Sequence, residues 1–271
     1  MKKIFTQIAA AFGCMFLVGC DTVFDVHPYD VHVDGDKNVN AANIAKIESA
    51  IKDKDTIRFA MISDSHQWLD DLKKEVNDIN RRKDSIDFVL HCGDVTDFGA
   101  TQEFLWTRDR LQKLKMPFVV LLGNHDCLGT GNQTYEVVFG KPDFSFIAGR
   151  VKFVCLNTNA FEYDYSRPVP NFDFMEEQCK ADSADFDRTI VCMHAPPFSE
   201  QFNNNVAKVF NYYTHQFPGL MFCLYGHGHH TRQTDLYGDG TMYYQICNAP
   251  KHQYYLFTIT PKGYSYEIID Y

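Results

Sequence analysis

The sequence lacks several features that mark specialised classes of protein. Basic residues are few compared with acidic ones, 26 Lys and Arg against 35 Asp and Glu, and the formal net charge is −9. This balance argues against a protein that holds a nucleic-acid polymer through its general surface. The sequence contains no internal repeat of the kind that forms a solenoid, and no Pro-, Gly- or Ser-rich linker divides the 271 residues into domains. A hydrophobic content of 45% is enough for a large core.

The nine cysteines include no pair with the spacing of a structural zinc site. Two of them, Cys14 and Cys20, lie in the N-terminal segment, which leaves an odd number of seven that cannot all pair within one chain. Cys92, Cys192 and Cys223 sit in apolar runs. We therefore expect these three thiols to be small hydrophobic core residues and not metal ligands.

The N-terminal segment has the pattern of a bacterial lipoprotein signal. A basic head, Met1–Lys3, precedes an apolar run, Ile4–Val18, that is too short for a comfortable membrane span. The run ends in Leu17–Cys20, which resembles the lipobox. The resemblance implies that residues 1–19 are a signal peptide and that a lipid on Cys20 anchors the chain to the membrane. The expected location is the bacterial cell envelope, on the periplasmic or surface side.

Residues 20–56 are expected to form a polar tether followed by one helix. Ile44, Ile47 and Ile51 have the i, i+3, i+7 spacing of an amphipathic helix that packs against a domain. The pattern then changes at residue 57, and we expect a single domain over residues 57–271.

That domain begins with short apolar runs that alternate with helical segments. The runs at 59–62, 88–90 and 118–122 are separated by predicted helices at 68–80 and 101–113. This alternation predicts parallel strands with crossover helices, and uninterrupted apolar strands indicate a sheet covered on both faces. A hairpin over 144–156, strands at 189–193 and 221–225, and an antiparallel end over 242–246 and 254–269 are also predicted.

Five of these apolar strands end directly in oxygen or imidazole donors. Loops at the C-terminal ends of strands in α/β sheets gather in one crevice, so we expect the donors to converge. Glycines stand next to several donors and allow tight turns and close backbone approach. The seven candidate ligands are Asp64, His66, Asp94, Asn124, His194, His227 and His229.

The chemistry of these donors predicts a metal centre. Carboxylate, amide oxygen and imidazole without thiolate suit Mn, Fe, Zn or Co. Seven ligands are too many for one tetrahedral ion, but they suit two divalent ions that share a bridging carboxylate, about 3.5–4 Å apart. Such ions would give an acidic protein a local positive field for an anionic ester.

This pattern resembles the calcineurin-like metallophosphoesterase superfamily. The motifs, in the order that the superfamily has them, are Asp64-x-His66, Gly93-Asp94-x-x-Asp97, Gly123-Asn124-His125-Asp126, an isolated His194 and Gly226-His227-x-His229. The resemblance implies an α/β fold, a four-layer α/β/β/α sandwich with a dinuclear site at the strand C-terminal ends. It implies one metal on Asp64, His66, Asp94 and His229, and a second on Asp94, Asn124, His194 and His227.

The resemblance also implies a metal-dependent phosphoric ester hydrolase that uses a bridging hydroxide. His125 would stabilise the transition state or protonate the leaving group, and the Asp97 carboxylate would orient it. Trp68 would stack on substrate or anchor a helix start.

The substrate is left open between a diester, a small monoester and a pyrophosphate. The segment between His194 and Gly226 has one basic residue, Lys208, to hold a dianionic monoester, which gives a slight preference for a diester.

The alternative is a non-catalytic surface lipoprotein that keeps the fold as a binding module. Lost ligands would indicate that alternative, and none is missing. A nuclease acting on long polymers conflicts with the acidic balance.

Overall fold

The structure is a computed structural model that describes residues 27–163, 167–180 and 184–271. The predicted signal peptide and Cys20 lie outside the described residues. No helix in the described part of the chain is both long and apolar enough to cross a membrane.

Two sheets form the centre of the molecule. The eleven strands of the described residues are β1 Ile57–Ile62, β2 Phe88–His91, β3 Phe118–Val120, β4 Phe144–Ala148, β5 Val151–Leu156, β6 Arg188–Met193, β7 Leu220–Tyr225, β8 Arg232–Asp235, β9 Met242–Gln245, β10 Gln253–Thr260 and β11 Gly263–Asp270. The first sheet has the strand order β11-β10-β1-β2-β3, and the second has the order β4-β5-β6-β7-β9-β8.

The strands that carry the candidate ligands are parallel within each sheet. β1, β2 and β3 are parallel neighbours in the first sheet, and β5, β6 and β7 are parallel neighbours in the second. Their C-terminal ends therefore lie at a common edge within each sheet. The hairpins β4–β5 and β10–β11 are antiparallel, as predicted.

Five of the six helices in the described residues cover the outer faces of the sheets, and the first packs against β3 and β4, which are edge strands of the two sheets. In the described residues the helices are α1 Val39–Ile51, α2 Leu69–Arg81, α3 Thr101–Leu111, α4 Gly131–Val138, α5 Phe172–Lys180 and α6 Ala207–Thr214. The result is the four-layer α/β/β/α sandwich that the sequence predicted.

Successive side chains of a strand point to opposite faces of its sheet, so each strand contributes to two layers of the core. Phe59 and Met61 of β1 point between the two sheets, whereas Ala60 and Ile62 point outward into the layer that includes α2 and α3. The ring of Phe59 stacks on Phe88 at 5.2 Å and meets Phe153 of the second sheet edge-on at 5.3 Å. Each such ring contributes about 2–3 kcal/mol through burial, which explains why these strands are apolar on both faces.

The segment before the domain is fixed to it. Ile47 and Ile51 of α1 are buried in the layer between the sheets, and Ile44 packs against that layer, which confirms the helix prediction. The polar stretch before α1 is not a free tether over its described part, because the Arg108 guanidinium donates to the main-chain oxygens of Asp34 and Asp36, at 2.6 and 3.0 Å.

Some elements differ from the predictions. The structure adds α4, α5, α6 and β8. It also pairs β9 in parallel with β7 and antiparallel with β8, whereas the sequence predicted only antiparallel character there. All seven described cysteines are free, and Cys92, Cys192 and Cys223 are fully buried, as expected of core residues.

Candidate metal centre

The two sheets deliver donors to one place from opposite sides. Asp64 and His66 follow β1, and Asp94 and Asn124 follow β2 and β3. From the second sheet His194 follows β6. The loop after β7 adds the remaining two imidazoles, those of His227 and His229.

One cluster forms around Asp64. Its Oδ1 lies 3.2 Å from His229 Nε2 and 3.9 Å from His66 Nε2. His66 Nε2 also lies 3.6 Å from Asp94 Oδ2. Asp64, His66 and His229 are close enough for all three to contact a single ion.

A second cluster forms on the other side of Asp94. Asp94 Oδ2 lies 3.1 Å from His194 Nε2, which is itself 3.1 Å from Asn124 Oδ1. His227 Nδ1 lies 3.0 Å from the same Asn124 oxygen. Asp94 Oδ2 therefore faces both clusters, and the structure brings together all seven of the donors named from the sequence.

The backbone at most of these donors is strained. Five of the seven have a positive φ: Asp64 51°, His66 42°, Asp94 56°, His227 67° and His229 54°. Residues other than Gly rarely adopt a positive φ, and each one that does lowers the stability of the fold by about 1–3 kcal/mol. Strain concentrated in this way is typical of functional sites, where the surrounding fold holds the chain in place.

At three positions near the donors only glycine fits, because a Cβ atom there would clash with a donor residue. A Cβ on Gly93 would lie 2.8 Å from His194 Nδ1, and one on Gly226 would lie 2.7 Å from Asp64 Oδ2. A Cβ on Gly123 would lie 2.8 Å from the Cα of Asp94. The expectation that glycines permit close backbone approach is therefore confirmed.

The buried carboxylates are held in their ionised form. Burial raises the pKa of Asp94, but the His194 imidazole beside it outweighs burial and brings that pKa well below its usual range. The same pair acts on His194, because burial lowers its pKa and Asp94 raises it, to about 9. Burial raises the pKa of Asp64 too, and its contact with His229 reverses the shift. The centre thus contains two fully buried acids that favour cations.

Several buried polar atoms in the described part of the chain have no hydrogen-bond partner. They include Asp64 Oδ1 and both ring nitrogens of His66, which have charged neighbours at 3.2–3.9 Å but no contact with hydrogen-bond geometry. An unpaired buried polar atom costs about 1–3 kcal/mol, so such atoms need another partner. Carboxylate oxygen and imidazole nitrogen are ordinary ligands of divalent transition metals, and the residues present therefore fit metal ions.

His125 lies at the edge of the centre, with its ring centroid 4.7 Å from that of His66. Its main-chain N–H donates to Asp94 Oδ1 at 2.9 Å. Its Nδ1 lies 2.7 Å from the main-chain oxygen of Asp97, so Nδ1 carries a proton and donates to that carbonyl. The sequence predicted that the Asp97 carboxylate would orient His125. That carboxylate instead faces His66 Nδ1 at 3.3 Å, and the carbonyl of Asp97 orients His125.

Two further polar residues near the centre have structural roles. Asp126 accepts hydrogen bonds from the amides of Val95, Thr96 and Gly123 and so holds the loops together. His91 is fully buried, and burial lowers its pKa to about 3, so it is a neutral core residue.

Trp68 sits directly before α2, with its ring 5.1 Å from that of His66 and 6.1 Å from that of His229. It packs against the rings of these two candidate ligands and is only partly buried.

Glu200 is a residue that the sequence analysis missed. Its Oε1 lies 3.0 Å from His227 Nε2, on the side of the ring opposite Asn124. The carboxylate therefore fixes the orientation of that imidazole. Glu200 stands in a polar stretch six residues after His194, and only the three-dimensional contact distinguishes it from an ordinary surface acid.

Comparisons with known proteins agree with this geometry. The family described as calcineurin-like phosphoesterase matches residues 57–231. A short stretch of 48 residues is 40% identical to the probable glycerophosphodiester phosphodiesterase GpdQ of Arcobacter nitrofigilis. That stretch is 18% of this chain and 18% of the relative.

Among solved structures, a dimetal phosphatase from Danio rerio is similar, with a TM-score of 0.57 and 12% identity, over 79% of this chain and 99% of the other. GAP50, described as the anchor in the inner membrane complex of Plasmodium, gives a TM-score of 0.61 and 12% identity. That likeness covers 80% of this chain and 85% of GAP50. At these identities the likenesses concern the fold.

Proposed function

The chain belongs to the calcineurin-like phosphoesterase family and is thus a phosphoric ester hydrolase by class, and from this premise we propose that it hydrolyses phosphodiesters at a centre of two divalent metal ions. The observation that carries the dinuclear proposal is the position of Asp94. One oxygen, Oδ2, faces His66 Nε2 at 3.6 Å and His194 Nε2 at 3.1 Å, between the two clusters. A carboxylate in that position is suited to bridge two ions.

The proposed ligands follow from the clusters. One ion would take Asp64, His66, Asp94 and His229, and the other would take Asp94, Asn124, His194 and His227. When bound, the ions would activate water and neutralise charge on the phosphoryl group. We propose Mn, Fe, Zn or Co, because the donors combine carboxylate and imidazole.

The chain's own residues would position the ester and move a proton. His125 is held by two hydrogen bonds, from its main-chain N–H to Asp94 and from Nδ1 to the Asp97 carbonyl. Its Nε2 is therefore the ring atom left for proton transfer. In the imidazolium form, with both ring nitrogens protonated, Nε2 would give its proton to the departing alcohol and leave the neutral ring with its proton on Nδ1. Asp97 acts as a positioning residue, through its carbonyl on His125 and its carboxylate near His66.

Two observations support a diester over a monoester. The segment between His194 and Gly226 provides one basic side chain, Lys208, to hold a dianion, and the formal net charge of the chain is −9. The 48-residue likeness to a probable glycerophosphodiester phosphodiesterase points in the same direction.

The test removes metal from the protein, adds back one metal at a time, and measures hydrolysis of a chromogenic diester and a chromogenic monoester. We expect turnover with at least one of the four metals and a preference for the diester. The Asp94→Ala variant should lose both turnover and paired metal binding, because it loses the shared ligand. The His125→Ala variant should retain about two metals per chain and lose turnover. Absence of turnover with every metal would instead favour the non-catalytic binding module.

We further propose that a lipid on Cys20 anchors the chain in a bacterial cell envelope. The support is the basic head, the short apolar run and the Leu17–Cys20 pattern of the sequence. The Cys20→Ala variant should move from the detergent phase to the aqueous phase in detergent partitioning. Unchanged partitioning would contradict the anchor without affecting the hydrolase proposal.

A further inference from the structure

A pocket with a volume of about 700 Å³ lies where the start of α1 meets the segment between α3 and β3. Pro117 and Phe118 in its wall stand at the start of β3, whereas Asn124 follows the end of that strand. The pocket is therefore at the opposite edge of the first sheet from the candidate metal centre. It has the volume of a small-molecule site.

Positive charge dominates the described lining of this pocket. Four lysines line it: Lys37, Lys46, Lys113 and Lys115. Asp36 is the one acid among these described lining residues, and its Oδ2 accepts a hydrogen bond from Gln112 Nε2 at 2.9 Å. Four lysines and one aspartate give the pocket a formal charge of +3, in a chain whose formal net charge is −9.

The four ammonium groups have no carboxylate partner in the described part of the chain. Lys46 Nζ donates to Asn43 Oδ1 at 3.4 Å, and the other three make no ion pair or side-chain hydrogen bond with any described residue. Like charges around one concave space repel each other, and an anion that enters relieves this repulsion. A cleft lined by one sign of charge also focuses the field and concentrates ions of the opposite sign.

The segments that carry these lysines are held in place by hydrogen bonds to the main chain. On one side the Asn80 side chain donates to the Lys113 carbonyl at 2.9 Å and accepts from the Lys115 amide at 2.8 Å. On the other side the Asn40 side chain makes two hydrogen bonds to the main chain of Val120, at 2.8 and 3.0 Å, which join the start of α1 to β3. A site whose walls are fixed before binding loses less entropy when a ligand enters.

The chemistry of the lining favours clustered phosphate groups. A lysine ammonium binds phosphate oxygens as a point charge and has three donors. A phosphate monoester group carries a charge of about −1.5 to −2 and three acceptor oxygens, so two such groups balance the formal charge of the pocket. The volume of about 700 Å³ leaves room for more than one phosphate.

We propose that this pocket binds a pair or a larger cluster of phosphate groups through its four lysines, at a site separate from the metal centre. The inference goes beyond the hydrolase proposal and does not depend on it. Free compounds with several phosphates and the headgroups of an anionic membrane share this chemistry, and the experiment separates the two sources.

The test measures the binding of methylenediphosphonate by calorimetry and the binding of phosphatidylglycerol vesicles by sedimentation. The diphosphonate has no P–O–P bridge to hydrolyse, and phosphatidylcholine vesicles show the binding that needs no anionic headgroup. In Lys113→Ala/Lys115→Ala we expect the Kd of the diphosphonate to rise by about tenfold or more, because two charge-assisted contacts are lost. Lys113→Arg/Lys115→Arg keeps both charges and should keep most of the affinity.

The control is Lys73→Ala/Lys262→Ala, which removes the same charge from two exposed lysines outside the pocket. An equal loss of binding in the control and in the pocket variant would show an effect of net charge and overturn the proposal. An affinity that Lys113→Ala/Lys115→Ala leaves unchanged would place the probe elsewhere on the chain, with the same consequence.

The two probes decide the source of the phosphate groups. Diphosphonate binding that only the pocket variant loses would support a free compound. Phosphatidylglycerol binding that only the pocket variant loses, without diphosphonate binding, would support membrane headgroups. Binding of neither probe to the unmodified chain would overturn the pocket assignment. Neither measurement uses turnover, so the hydrolase proposal stands or fails separately.

Discussion

Gly123 offers the most direct test of how the backbone builds the metal centre. It precedes Asn124 and lies against the backbone of Asp94. Its φ is not in the left-handed region, so an Ala at this position would bring no backbone strain. The effect of Gly123→Ala is therefore a steric displacement of the proposed bridging ligand.

The structure sets the size of that displacement. A Cβ on Gly123 would lie 2.8 Å from the Cα of Asp94 and closer still to its amide nitrogen and Oδ1. Ordinary contacts between carbon atoms are about 3.5–4.0 Å, so the Asp94 loop would have to move by about 1 Å. A displacement of that size at a catalytic centre costs about a hundredfold in rate. We expect kcat/KM to fall by at least that factor and metal content to fall below two per chain.

The assay measures metal content after dialysis, kcat/KM on a chromogenic diester, and Tm. The control is Gly238→Ala in the loop between β8 and β9, because a Cβ there meets nothing within 4 Å. Its φ of +70° costs only about 1 kcal/mol, and activity should stay close to that of the unmodified chain. Two bound metals and an unchanged kcat/KM in Gly123→Ala would refute the reasoning.

Two further predictions concern carboxylates outside the proposed ligand set. Glu200→Ala should weaken metal binding by about tenfold in a chelator competition, because His227 loses its orienting contact. Glu200→Gln should keep most of the metal affinity. Equal affinity in Glu200→Ala, Glu200→Gln and the unmodified chain would contradict this role. Burial raises the pKa of Asp143 to about 6. Protonation of Asp143 therefore stabilises the folded state, by up to about 3 kcal/mol, below pH 4. This contribution to the free energy of unfolding is lost as the pH rises through 6. Asp143→Asn should therefore gain stability relative to the unmodified chain at pH 7 but not at pH 4, and an equal difference in denaturant midpoint at both pH values would contradict it.

The parts of the fold that the sequence predicted are those with a strong local pattern. β1 and β2 are apolar on both faces because they lie between two layers, and α1 shows its three isoleucines at helical spacing. β8 could not be predicted, because Arg232–Asp235 is entirely polar and becomes a strand only by pairing with β9. The helices α4 and α6 have only eight residues each, too few for a clear periodicity.

The site divides in the same way. The seven donors that come together could be named because strand ends determine where donors lie, whatever the side-chain details. The contact between Glu200 and His227 spans 27 residues of sequence and has no local pattern. The sequence predicted that the carboxylate of Asp97 would orient His125, because residue types indicate the chemistry of side chains. In the structure the main-chain carbonyl of Asp97 accepts the hydrogen bond from His125. Contacts of the main chain depend on loop conformation, which residue types alone do not determine.

Loop conformation also links the centre to the stability of the fold. Five proposed ligands have left-handed backbone, at about 1–3 kcal/mol each, and Asp64 Oδ1 and the His66 ring nitrogens have no hydrogen-bond partner in the described chain. When no ion is bound, the packing of the two sheets must offset the free energy of the strained backbone and of the unpaired polar atoms. Ions that contact these atoms would compensate part of them.

Removing metal should therefore lower Tm by more than a surface site would. Each ion present at 100 times its Kd stabilises the folded state by about 2.7 kcal/mol, so two ions contribute about 5 kcal/mol, which corresponds to roughly 10–20 °C for a domain of this size. We expect a decrease of that order when a chelator is added to the Mn-loaded protein, and recovery when Mn is restored. Asp94→Asn should show little of this shift, because it weakens both clusters at once. A Tm that is independent of chelator in the unmodified chain would show that the strained loops are stabilised entirely by protein contacts.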